Sequence, residues 1–110
     1  MAKFVKGDVV VIPFPFSDLS GSKKRPALVL TDLPGNDIIL CQITSQAKKD
    51  KFVIAFTNND FATGSLPVDS YIRPNRIFTA DKNIIIRKAG TLTATLTKKI
   101  IQEIVSILNS

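Results

Sequence analysis

Two basic segments of the sequence hold most of the side chains that could do chemistry. The first runs from Phe14 to Pro26 and contains several hydroxyl groups, two phenylalanines and the run Lys23-Lys24-Arg25. The second, residues 44–51, opens with Thr44-Ser45-Gln46 and adds three lysines. Lysine charges, the forked donors of arginine and flat aromatic rings together suit a polyanion with phosphates and stackable bases. The candidate binding residues are Phe16, Ser22, Lys23, Lys24, Ser45 and Gln46.

The rest of the composition narrows the chemistry further. The sequence has no histidine, which removes the usual general base and the commonest metal ligand. The single cysteine, Cys41, lies in an apolar run and is interpreted as an inert core residue. The aspartates and the one glutamate are scattered, so we expect neither a metal site nor a cofactor. Catalysis would have to use arginine, lysine, a hydroxyl group or an isolated carboxylate such as Asp18.

A hairpin count predicts that the two basic segments meet. If residues 27–31 and 38–43 form an antiparallel hairpin around Pro34-Gly35, paired residue numbers sum to about 69. This register pairs Thr31 with Ile38 near the turn and Arg25 with Thr44 at the far end. Directly opposed residues have Cβ atoms roughly 4.5–5.5 Å apart. A bulge could shift the register by one residue, but the segments would still adjoin.

The apolar pattern predicts a small, mainly β domain that ends in one helix. Short β-branched or aromatic runs are bounded by turn residues and lack strict alternation, which indicates strands covered on both faces. From Leu96 onward the apolar positions follow the helical period, and Thr93 or Thr95 is a plausible N-cap. This amphipathic helix should cover an open side of the sheet. The runs assigned to strands are residues 9–12, 27–30, 38–41 and 52–56, with a strand pair over 70–78; Tyr71 and residues 84–86 are assigned to packing.

Length and charge bound the remaining possibilities. At 110 residues the chain is one domain, residues 1–110, with a formal net charge of +6. No apolar run approaches the roughly 20 residues of a membrane helix, so no membrane partner is expected. The lone cysteine and the lack of a signal-like apolar segment favour the cytoplasm. The positive charge favours an acidic partner.

The order of short motifs resembles the MazF/PemK family of bacterial toxins. The resemblance rests on Gly7-Asp8-Val9-Val10, on Arg25-Pro26 followed by an apolar strand, and on Ile43-Thr44-Ser45-Gln46. It continues through residues 69–72 and 76–79 to Gly90-Thr91-Leu92 before the helix. The match runs nearly end to end. One departure is that Gly21-Ser22 leads through two lysines directly to Arg25, where many members have an acidic residue and a longer loop.

The resemblance implies an SH3-like barrel with a C-terminal helix, assembled as a homodimer. It also implies a metal-independent endoribonuclease that cuts single-stranded RNA and is silenced by a cognate antitoxin. The family's catalytic arginine falls on Arg25 and its catalytic threonine on Thr44, the same two positions that the hairpin count brings together.

Two other functions remain open at this point. Lysine-rich loops are often merely solvated, and a basic barrel of this kind could bind RNA without cutting it. Related toxins of the same fold poison DNA gyrase through a patch that contains tryptophan, and this sequence has no tryptophan.

Overall fold

A computed structural model describes residues 3–14, 23–46 and 51–110 of the chain. The described part is a seven-stranded antiparallel sheet that curls into a half-barrel, with one C-terminal helix. The strand order is β4-β6-β3-β2-β1-β7-β5. The strands are β1 (Asp8–Phe14), β2 (Lys23–Asp32), β3 (Asp37–Thr44), β4 (Ile54–Phe56), β5 (Phe61–Gly64), β6 (Ser70–Asp81) and β7 (Arg87–Leu92); the helix α1 spans Ala94–Leu108.

The sheet buries apolar side chains on both faces, as the missing alternation predicted. Neighbouring residues such as Val9 and Val10 point to opposite faces of a strand. Val9 belongs to one buried cluster, together with Leu96, Ile100 and Ile104 of α1. Val10 belongs to a second cluster, on which Phe78, Ala80 and Ile85 pack. The helix therefore covers one face, and the N-terminal Phe4 and the end of β6 close the other.

The helix starts where its sequence predicts. The Thr93 hydroxyl accepts a hydrogen bond from the Leu96 N–H at 3.3 Å, which satisfies one free donor of the first turn. Thr93 is therefore the N-cap. Thr97 joins the three apolar residues on the buried face of α1.

The hairpin register is also confirmed over the three observed pairs farthest from the turn. Ala27 pairs with Gln42 and Leu28 with Cys41, both sums being 69. Nearer the turn the sum becomes 70, because a bulge between Val29 and Thr31 adds one residue to β2. The expected pairing of Thr31 with Ile38 was therefore wrong by one position, since Thr31 pairs with Ile39.

Several other expectations need correction. Residues 70–78 are not a strand pair: β6 is one strand from Ser70 to Asp81 that keeps Pro74 fully buried, opposite an irregularity in its pairing with β3. The run 52–56 is a strand only over Ile54–Phe56. Ile84 and Ile86 are 39% and 47% exposed, and of this run Ile85 packs against a buried cluster. The edge strand β5 and its partner β7 were not predicted.

Among the described residues, no helix is long and apolar enough to cross a membrane.

Candidate functional site

Strands β2 and β3 place the two predicted catalytic residues side by side. The register that pairs Ala27 with Gln42, continued by two residues, puts Arg25 opposite Thr44. On the other side of β2, Arg25 pairs with Ile12 of β1. Because side chains alternate along a strand, Arg25 projects from the same face as Ala27, and Thr44 from the same face as Gln42. The two side chains therefore share one face at one end of the hairpin.

Arg25 occupies a different setting from the one expected. A loop-end arginine would be exposed, but β2 begins at Lys23, so Lys23, Lys24 and Arg25 all belong to the strand. Arg25 is partly buried, and Lys24 is exposed. The pairing with Ile12 of β1 fixes the Arg25 backbone, which suits a side chain that must hold a fixed direction.

Thr44 is almost completely buried, with 3% of its surface exposed, although it closes β3 at the cleft. Its Oγ1 accepts a hydrogen bond from the N–H of Gln46 at 3.2 Å. The bond uses the hydroxyl as an acceptor and leaves its proton available for donation. The turn after β3 therefore orients a hydroxyl donor next to Arg25.

Arg25 and Thr44 line the same cleft, whose volume is about 420 Å³. Lys24, Ser45 and Gln46 line it as well, so three of the six predicted binding residues join the pair. Ser45 and Gln46 are exposed, which leaves their polar atoms accessible from solvent. For Lys23 the structure describes only the backbone, in β2. Phe16, Ser22 and the candidate base Asp18 lie outside the described residues.

The opposite side of the cleft was not predicted from the sequence. It is formed by Leu66, Pro67, Val68 and Ser70, which precede or begin β6. Leu66 is buried in the core, whereas Val68 is 55% exposed. No motif marks this segment, because its side chains are those of an ordinary loop. The buried β6 strand that follows it was the one available signal.

The cleft thus has a polar side and an apolar side. Lys24 and Arg25 are cationic donors, and Thr44 and Ser45 add hydroxyl groups. A phosphodiester presents an anionic group next to a largely flat, apolar base, so such a cleft matches both parts of a nucleotide. Within the described residues, no three Cys, Asp or Glu side chains form a group that could hold a metal ion.

Cys41, which the sequence assigned to the core, is fully buried in β3. Its Sγ donates a hydrogen bond to the backbone oxygen of Arg73 at 3.1 Å. Burial raises the pKa of the Cys41 thiol to about 12, so the thiol stays neutral and unreactive. The structure is consistent with a packing role for this residue.

Solved structures with the same fold cover nearly the whole chain. An endoribonuclease from a mycobacterial species, in complex with its cognate antitoxin, matches with a TM-score of 0.75 and 17% identity, covering 97% of this chain and 96% of that one. A MazE-MazF complex from Deinococcus radiodurans matches with a TM-score of 0.75 and 20% identity, covering 96% and 95%. MazF alone from the same organism gives 0.74 and 19%, with both chains fully covered.

Comparison with curated protein sequences finds no match. The family comparison, by contrast, matches residues 5–108, which include every strand and the helix, to the PemK-like, MazF-like toxin of type II toxin-antitoxin systems. The fold, the order of the motifs and this match agree, and the chain belongs to the PemK-like, MazF-like toxin family.

Proposed function

We propose that this chain is the toxin of a type II toxin-antitoxin system and acts as an endoribonuclease on single-stranded RNA. The observation that carries the proposal is the cleft in which Arg25 lies opposite Thr44, in a chain that belongs to a toxin family. Structural neighbours described as endoribonucleases support the same activity.

The proposed reaction is in-line attack of a ribose 2′-oxygen on the adjacent phosphorus. The 2′-hydroxyl loses its proton to a base, the O–P bond forms, and the bond from phosphorus to the 5′-oxygen breaks. The leaving 5′-oxygen takes up a proton. The products are a 2′,3′-cyclic phosphate, which water can open to a 3′-phosphate, and a 5′-hydroxyl. A DNA linkage lacks the 2′-hydroxyl and should resist cleavage.

In this reaction Arg25 and Thr44 would stabilise the charge that develops on the phosphoryl oxygens. A guanidinium group offers several N–H donors in a planar fork and stays protonated in proteins, which makes it a better clamp than a base. The Thr44 hydroxyl would add one donor from the neighbouring strand. Removing one such donor typically costs about 10²–10³ in rate.

Lys24, Ser45 and Gln46 would bind the substrate around this pair, and we extend the same role to Lys23, Ser22 and Phe16. Lysines that contact phosphates supply affinity that falls with salt, and an aromatic ring offers a platform for a base. No cofactor or metal enters this scheme.

The test is single-turnover cleavage of a mixed-sequence RNA by the purified protein in the presence of a chelator. The parent should cut, Arg25→Ala should lose most of the rate, and Arg25→Lys should rescue poorly because a point charge cannot reproduce the fork. Thermal melts show whether each variant is folded. RNA retention without cleavage would instead indicate a non-catalytic binder. If the protein neither cut nor retained RNA, the result would indicate a toxin with another target, such as gyrase. Cleavage by Arg25→Ala at the parental rate, with an unchanged melt, would overturn the assignment of the arginine.

We further propose that the toxin is a homodimer. Closed two-fold dimers are the commonest soluble assembly. The described residues leave large apolar side chains exposed, among them Val105 and Leu108 on α1 at 49% and 69%. Sedimentation should show twice the chain mass of 12.0 kDa at micromolar concentration. A species of single-chain mass would contradict this assembly.

The partner that silences the toxin is proposed to be an acidic antitoxin. The net charge of +6 favours a flexible acidic segment that folds as it binds. Two of the matching structures are of toxins bound to an antitoxin. Inhibition of RNA cleavage should weaken as salt rises. An inhibitor whose binding segment carries net positive charge would contradict the proposal.

A further inference from the structure

The apolar wall of the cleft is a segment without its own strand pairing. Leu66, Pro67 and Val68 lie between the end of β5 at Gly64 and the start of β6 at Ser70. All three line the cleft that holds Arg25 and Thr44. Since no sheet ladder holds these residues, their position depends on the buried Leu66 side chain and on side-chain hydrogen bonds to the wall backbone.

The side chain of Asn58 supplies this support. Its Nδ2 donates a hydrogen bond to the Leu66 backbone oxygen at 3.1 Å. Its Oδ1 accepts a hydrogen bond from the Leu66 N–H at 2.9 Å. The amide thus satisfies both backbone groups of one wall residue, as a neighbouring strand would. Asn58 itself is exposed, so the pair of bonds is a surface clamp on the wall.

Asn58 lies in a short turn that several hydrogen bonds stabilise. It begins the 3-10 turn over residues 58–60, whose N-terminal end is closed by a capping box between Thr57 and Asp60. The Asp60 backbone oxygen accepts a hydrogen bond at 2.8 Å from the N–H of Thr93, the helix N-cap. At the far end of the wall, the Ser70 Oγ donates to the Val68 oxygen at 3.0 Å. The wall is therefore held at both ends: the Leu66 side chain is buried in the core, and Asn58 fixes the Leu66 backbone by hydrogen bonds.

We propose that Asn58 is a positioning residue that sets the distance between the apolar wall and the Arg25–Thr44 pair, and thereby the affinity of the cleft for single-stranded RNA. This inference rests on the proposed function. The exposed face of Pro67 and Val68 lies across the cleft from cationic donors that would hold the phosphate, which is where the adjacent base must go. A wall that moves away would weaken contact with the base without disturbing the two strands that carry the clamp.

The expected signature is a change in KM with little change in kcat. Asn58→Ala removes both hydrogen bonds and should raise KM roughly tenfold, with kcat within about twofold of the parent. Asn58→Asp keeps the acceptor for the Leu66 N–H but loses the donor, and should give a smaller rise. Asn59→Ala is the matched control, since the bond recorded for Asn59 uses its backbone N–H and not its side chain. Its kinetics should match the parent.

The measurement is steady-state cleavage of a short mixed-sequence RNA by the full chain, with melts run beside it. An unchanged KM in folded Asn58→Ala, or a fall in kcat at constant KM, would overturn the proposal. If Asn58→Ala melts too early to assay, Val68→Ala tests the same wall through an exposed side chain. Its KM should rise as well, and an unchanged KM would overturn the proposal.

Equilibrium binding separates this inference from the proposed activity. The probe is an all-2′-deoxy oligonucleotide of mixed sequence, which a 2′-hydroxyl mechanism cannot cleave. Its Kd should rise by the same factor in Asn58→Ala and stay constant in Asn59→Ala. If the parent cut no RNA but this pattern held, the proposed catalysis would fail and the role of Asn58 would stand. Equal Kd values in Asn58→Ala and the parent would remove that role even if cleavage were robust.

Discussion

Replacing Thr44 with valine separates the chemical role of the hydroxyl group from its structural role. Valine keeps the β-branched shape that suits the end of β3, and it replaces only the hydroxyl by a methyl group. Because Thr44 is 3% exposed, alanine would also leave a small buried void. The valine variant avoids that second effect.

The structure bounds the stability cost of this change. Within the described part of the chain, the hydroxyl accepts a 3.2 Å hydrogen bond from the Gln46 N–H. Gln46 is exposed, so water can replace the lost acceptor, and the free energy of unfolding should fall by only about 0.5–1.5 kcal/mol. Loss of a donor to the developing phosphoryl charge should cost about 10²–10³ in rate, or roughly 3–4 kcal/mol. The rate loss should therefore exceed the stability loss.

Thr44→Ser is the matched control, since it retains a hydroxyl for both purposes. Single-turnover cleavage with saturating protein and chelator gives the rate of the chemical step, and urea unfolding gives the stability. We expect serine to keep much of the parental rate and valine to lose about two to three orders of magnitude. Cleavage by folded Thr44→Val within threefold of the parent would refute the donor role. A rate loss fully matched by unfolding would refute it as well.

Three further predictions concern stability, pH and salt. Gly90→Ala should lower the free energy of unfolding by roughly 1–3 kcal/mol or more, because its new Cβ would lie 2.4 Å from the Thr63 oxygen. In the control Gly35→Ala the new Cβ meets nothing within 4 Å, so the loss is only the roughly 1–2 kcal/mol cost of the positive φ. Equal losses of the two variants in urea unfolding would contradict this prediction. Burial raises the pKa of Cys41 from 9.0 to about 12, so the unfolded state loses the proton first and stability should fall by roughly 1 kcal/mol per pH unit between these values. Cys41→Ala should lack this fall when the free energy of unfolding in urea is measured against pH. Parallel pH curves for the parent and Cys41→Ala would contradict the prediction. Lys24→Ala should reduce the slope of RNA affinity against salt concentration by about one phosphate contact. Lys99 is an exposed lysine on α1, and Lys99→Ala should leave this slope unchanged. Equal slopes for the two variants would show that Lys24 does not contact the RNA.

The parts of the fold that could be predicted are those that local pattern controls. The helical period after Leu96 and the cap at Thr93 depend on neighbours within one or two turns, and both are present in the structure. The hairpin register follows from the turn at Pro34-Gly35 and from counting residues. Counting residues could not predict the bulge, because it depends on how β2 packs. It lies on the turn side of Ala27 and so does not change the register at Ala27 and Leu28.

The parts that could not be predicted depend on contacts between distant segments. Strand β7 has the sequence RKAGTL and strand β5 has FATG, and neither carries an apolar run or a clear alternation. They become strands because β1 and β7 provide pairing partners. Gly64 and Gly90 let these two backbones approach closely, a requirement that only the folded pair reveals. The wall from Leu66 to Val68 was missed for the same reason.

Some residues of the cleft lie in paired strands and others in connecting segments, and this difference affects which of them can vary. Arg25 pairs with Ile12 of β1 and Thr44 with Tyr71 of β6, so the backbone of each residue is held in the sheet and not by a loop. Part of the remaining lining comes from segments outside the strands, namely Ser45 and Gln46 after β3 and the wall before β6. Changes in those segments can alter which RNA is held without moving the proposed clamp.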